Sequence, residues 1–124
     1  MMSDAAEELP RYTVVVSDAA DAEARSAHQW LCASVTSDYA DRWLEGLVRT
    51  VEALSYLPHR HPVARENDLS EVEIRRMLYY GPTRRRQSGS TYRILFQIVE
   101  PEGEGEGLVR VLHIWHGAQG RRLP

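Results

Sequence analysis

Three consecutive arginines, Arg84, Arg85 and Arg86, form the densest charge in the sequence and sit in the loop-like stretch GPTRRRQSGS. A guanidinium fork matches phosphate or carboxylate, so the cluster could contact either, although a plain solvated turn also carries such charge. Arg75 and Arg76 are neighbours in a strand-like run and point to opposite faces, so only one can share a face with Arg93; we assign Arg75. His59 and His61 make an H-x-H pair, but between Pro58 and Pro62, with no cysteine or carboxylate in register, they read as turn residues rather than metal ligands. His113 and His116 are three apart on a strand and cannot share one ion without a bulge. Cys32, the only cysteine, follows Trp30 and Leu31 in a helical pattern and reads as a small buried hydrophobe. Trp115, beside His116, either packs in the core or stacks on a base or a partner's side chain. No glycine-rich phosphate loop, nucleophile elbow or zinc-ligand spacing is present, so neither cofactor nor metal is expected.

These residues need a frame. RYTVVVS, residues 11–17, concentrates β-branched residues and predicts a first strand. Ser17 or Asp18 then caps a helix whose Ala20, Ala24, Ala27, Trp30 and Leu31 make one narrow apolar stripe, which places Trp30 in the core. Ser37 and Asp38 open a second helix, with Ala40, Trp43, Leu44, Leu47, Val48 and Val51 on one face, and Leu54 and Leu57 continuing it. Two amphipathic helices joined by so few residues must fold back as a hairpin. Pro58 ends it. Residues 58–72 read as a loop with one short helical turn near Asn67 to Ser70.

Three strand signals follow: EIRRMLYY over 73–80, TYRILFQIVE over 91–100 and GLVRVLHIWH over 107–116. The solvated turn PEGEGEG joins the last two and reads as a loop tip. The economical α+β arrangement is strand-helix-helix-strand-strand-strand, a small, mainly antiparallel sheet with the hairpin on a single face. Alternation sends Tyr92, Ile94, Phe96 and Ile98 under the helices and Arg93, Leu95 and Gln97 to a bare reverse side. Both faces of the last strand are apolar, which makes Leu95, Gln97 and Trp115 candidates for a partner surface.

At 124 residues the chain suits one domain over 11–119, with a flexible tail over 1–10 and a short basic tail over 120–124. The single cysteine, the acidic opening MMSDAAEELP and the lack of a long apolar run predict a cytoplasmic protein with no membrane partner. The net charge of -3 hides an asymmetry: residues 1–57 carry ten acids against four arginines, and residues 58–98 carry eight arginines against four acids. Every basic residue is arginine, which we attribute to genome bias.

In their order and spacing, YTVVVSDAA, ADRWLEGLVRTVEALSYLP with PVAREN, EIRRMLYYG, YRILFQI and VRVLHIWHGAQ resemble the RelE/ParE toxin superfamily of bacterial toxin–antitoxin modules. The resemblance runs from Tyr12 to Gln119. It implies a growth-inhibiting plasmid-stabilisation type toxin held inactive by a cognate antitoxin, as a homodimer or a hetero-oligomer. ParE-like members disable DNA gyrase; RelE-like members are metal-independent endoribonucleases that cleave mRNA on the ribosome. On the second reading Arg93 stands where the family places a phosphate-clamping arginine, and His116 could serve as acid or base. Arg75, Arg84, Arg85, Arg86, Leu95, Gln97 and Trp115 would then meet target or antitoxin. Lysine is absent, no tyrosine follows residue 92, and net negative charge opposes ribosome docking. These departures favour the ParE-like reading, with the ribonuclease, or an inactive member that only binds, as alternatives.

Overall fold

The computed structural model describes residues 11–82 and 91–116. Both expected tails and the Arg84, Arg85, Arg86 cluster lie outside the described residues. Strand β1 (Tyr12–Val16) leads into helix α1 (Asp18–Ser34), helix α2 (Ser37–Glu52), and strands β2 (Arg75–Tyr79), β3 (Tyr92–Val99) and β4 (Gly107–His116). Sheet order is β1-β4-β3-β2, with β1 parallel to β4 and the other neighbours antiparallel.

Local chemistry accounts for the element starts. Ser17 Oγ accepts from the Ala20 N–H at 3.0 Å and donates to the Leu112 carbonyl at 2.9 Å, so one hydroxyl both caps α1 and ties it to β4. Thr36, one residue earlier than the sequence suggests, caps α2 through the Tyr39 N–H. Trp43 and Leu47 of α2, with Ala20, Ala24 and Leu31 of α1, bury against Ile94 and Phe96 of β3 and Val109 and Val111 of β4. Gly46 is required here: a Cβ would collide with the hydroxyl of Tyr79, which donates to the Trp43 carbonyl at 2.7 Å. Burial pushes the Tyr79 phenol up to about 12.

Two helical expectations fail. Trp30 is 62% exposed rather than core, because α1 buries the narrow alanine side and Leu31, and that stripe ends one residue past Trp30. Val48 and Leu57 are exposed as well. The helix stops at Glu52, a 3-10 turn covers Ala53–Ser55, and Leu57 takes a left-handed backbone (φ 49°) before Pro58.

The larger difference lies on the reverse side of the sheet. Residues 58–74 are not an idle loop. They form a strap with 3-10 turns at Pro58–Arg60 and Arg65–Leu69, and it crosses part of the sheet's second face. Ala64 and Ile74 of the strap bury against Leu95 and Trp115, making a second, smaller core. Burying Leu95 at 1% exposure corrects the expectation of a wholly bare face. The strap was invisible to periodicity because its backbone bonds follow no repeat: the Ala64 N–H reaches the Ile74 carbonyl within the strap, and the Arg76 N–H of β2 reaches the Pro62 carbonyl.

Candidate functional site

The strap decides the fate of the residue with the strongest chemical claim. Glu66, 3% exposed on the Arg65–Leu69 turn, faces Arg93, 5% exposed on β3. Arg93 Nη1 donates to Glu66 Oε2 at 2.6 Å and Nη2 to Oε1 at 2.5 Å, so both arms of the fork are occupied. Burial raises the Glu66 carboxyl, but the bonds and charge of Arg93, with Arg65 beyond, outweigh it and hold the group below the usual 4.5. Arg93 therefore pins the strap and is not presented as a phosphate clamp.

His116 is placed on the other side. It pairs in register with Tyr92 and packs edge-on against that buried ring, with centroids 5.3 Å apart. Arg93 pairs with Trp115 and turns toward the strap. The two residues thus face opposite sides of one sheet, and they cannot converge on one scissile phosphate as the ribonuclease reading requires.

The other sequence candidates separate in a similar way. Arg75 Nη1 donates to the carbonyls of His59 (3.0 Å) and His61 (2.6 Å), and Nε donates to Glu73 (3.1 Å), so it fastens the strap instead of lining an open face. Arg76, whose partner in register is Leu95, takes the position expected of Arg75. Trp115 is buried, stacks on His113 at 4.3 Å and donates from Nε1 to Glu23 at 2.8 Å. Glu23 also accepts from the Ile114 N–H at 2.9 Å, so a helix carboxylate takes up the β4 edge beyond the end of β1. Of the predicted partner surface, Gln97 alone among the described residues stays on open sheet. It is in register with exposed Arg110, which also faces Val15 of β1. Val15 and Val99, 45% and 40% exposed, border this patch.

Sequence reasoning missed two side-chain clusters. His28 Nε2 meets Asp41 Oδ1 at 2.9 Å, and Cys32 Sγ lies 3.9 Å from both ring nitrogens of His28. The i,i+4 spacing of His28 and Cys32 was the available signal. At the other end, Glu100 accepts from the Tyr12 hydroxyl at 2.9 Å and meets His59 Nε2 at 2.6 Å. The Tyr12 bond and His59 hold the Glu100 carboxyl low, whereas burial, aided by Glu100, raises the Tyr12 phenol. Glu106 accepts from the Thr13 hydroxyl at 2.7 Å. Glu100, just before the PEGEGEG turn, and Glu106 within it are therefore tethers for β1 and the strap. His59 and His61 go separate ways, since His61 packs edge-on against Phe96 at 5.8 Å.

Comparison with known proteins agrees with this architecture. Residues 14–120 match the family model described as the ParE toxin of the type II toxin–antitoxin system, parDE. A solved structure described as the chromosomal ParDE TA system from P. aeruginosa superposes with a TM-score of 0.57 at 16% identity. It covers 86% of this chain and 96% of its own. No curated protein sequence matches.

Proposed function

Because the chain belongs to the ParE toxin family of type II toxin–antitoxin systems, we propose that it arrests bacterial growth by binding DNA gyrase, not by cleaving RNA, and that a cognate antitoxin neutralises it. The observation that carries this reading is the placement of Arg93 and His116 on opposite faces, with the arginine fork already filled by Glu66. Metal-independent RNA cleavage needs a base, a charge clamp and an acid around one phosphodiester. Binding needs only an accessible surface, and the open half of the reverse face supplies one: Val15, Val99, Gln97 and Arg110, apolar with two polar groups.

Expression from an inducible promoter should halt growth, and co-expression of the gene adjacent to the toxin should restore it. Purified protein should inhibit gyrase supercoiling of plasmid DNA, and Val15→Glu with Val99→Glu should abolish both effects while leaving the fold intact. Transcript cleavage at codon positions in growth-arrested cells, with supercoiling unaffected, would replace gyrase binding by ribosome-dependent RNA cleavage.

A further inference from the structure

β1 and β2 are the outermost strands, and their outer edges are treated differently. The strap bridges the β2 edge at Arg75, and Arg75 and Arg76 place charge along that strand. Tyr12–Val16 holds neither a charged residue nor a proline, the usual guards of an exposed edge. In a parallel ladder only alternate residues of a strand bond to its neighbour. The Ser17 N–H donates to the Val111 carbonyl at 2.9 Å, so Thr13 and Val15 also turn their backbone groups toward β4, and Val14 and Val16 turn theirs outward. Tyr56 bridges Arg11 at the start of this edge, but among the described residues no backbone group meets Val14 or Val16. The side chains of Val15 and Val16 are 45% and 41% exposed.

This free stretch is complementary to itself. A two-fold axis through Val15 sets two copies of β1 antiparallel, so Val14 of each faces Val16 of the other, and each such pair exchanges both of its N–H···O=C bonds. Val15 meets its own copy on the axis, in the unbonded type of pair where side chains approach most closely. Charge agrees with that direction. Arg11 precedes the strand and Asp18 follows it; among the described residues neither forms an ion pair, and Arg11 only lies over the Tyr56 ring at 5.4 Å. Antiparallel pairing brings Arg11 of each copy beside Asp18 of the other, whereas parallel pairing would set like charge against like.

We propose that the outer edge of β1 is a self-association surface, on which two copies of this chain join β1 to β1 about a two-fold axis at Val15 and merge their four-stranded sheets into one. A second copy fits better than a different partner because the edge itself supplies both halves of the pairing, in hydrogen bonds and in charge. The free stretch is short, so the dimer is weak, with a dissociation constant on the order of 100 μM. Val15 also belongs to the patch offered to gyrase, so dimer and target complex exclude each other. The dimer is measured with no gyrase present, and its failure leaves the gyrase reading standing.

Sedimentation equilibrium of the full-length protein at low salt, from about 10 μM to about 1 mM, should show a monomer–dimer equilibrium. Val16→Pro should abolish it, because the substitution deletes an outward N–H that β4 does not use; an unchanged near-UV dichroism spectrum separates this loss from unfolding. Arg11→Glu should weaken the dimer about threefold, and adding Asp18→Arg should restore it. A crosslink tests the register without proline. In a Cys32→Ser background Val15→Cys should form an intermolecular disulfide under mild oxidation, and Val16→Cys should not, since the two-fold axis holds the Val16 positions out of register with each other. The proposal is overturned by a monomer throughout that range, by a natively folded Val16→Pro variant that still dimerises, or by crosslinking through Val16→Cys in preference to Val15→Cys. It is equally overturned if dimers form only after residues 1–10 are deleted, because the edge then belongs to the chain's own N-terminal segment.

Discussion

The two faces of the sheet are covered by opposite means. On one, α1 and α2 bury a continuous apolar layer that includes Trp43, Leu47, Ile94, Phe96, Val109 and Val111. On the other, among the described residues, the strap brings Ala64 and Ile74 onto Leu95 and Trp115, and the contact is completed by the Glu66–Arg93 pair. Apolar burial is non-directional and tolerates small shifts, whereas a bidentate pair fixes one geometry and penalises every other. The helical face thus supplies stability, and the strap face supplies registration of an irregular segment that has too little apolar area to register itself.

The sharpest way to break this contrast is to remove one charge. Glu66→Ala should cost about 3–5 kcal/mol in urea unfolding, because Arg93 would stay buried without its partner. Glu66→Leu with Arg93→Met should recover most of that loss; equal destabilisation by the double variant would mean that shape, not charge, holds the strap. On the helical face, Leu47→Ala should cost about 2–5 kcal/mol through a cavity, with no apolar rescue of comparable size. Gly46→Ala should cost about 1–3 kcal/mol by driving a methyl into the Tyr79 hydroxyl, and adding Tyr79→Phe should return part of it.

Acid should separate the faces as well. The folded Glu66 carboxyl lies below 4.5, so its contribution is complete above that value and is lost as pH falls through the folded pKa. His61, lowered from 6.5 chiefly by burial and also by Arg60 and Arg75, adds a loss that begins as pH falls through 6.5. Urea midpoints from pH 7 to 3 should fall in two stages, and the later stage should shrink in the Glu66→Leu/Arg93→Met variant. The smallest effect belongs to the entry of the strap: Leu57→Gly should relieve the left-handed backbone and change stability by no more than about 1 kcal/mol.

Patterned elements were legible in the sequence. β4 runs over the expected Gly107–His116, β3 and β1 differ by a residue at each end, and Tyr92, Ile94 and Phe96 lie under the helices as alternation requires. Trp30 was misread because an i+3, i+4 stripe states which residues share a helix side but not how wide a strip the sheet will cover. A resemblance read from segment order agreed with the ParE family model. The candidate site was much less legible, since Arg93 was placed on the correct face but assigned solvent where Glu66 stands.

Periodicity, caps and turn residues are local, within about one helical turn or a strand pair, and that range was enough to determine the elements, their order and the helix-covered face. What covers the reverse face depends on a carboxylate 27 positions from its arginine, carried on a proline-bounded segment with no repeat. Only the closed tertiary structure could bring those two charges into one dry space and thereby convert a presumed clamp into a pin.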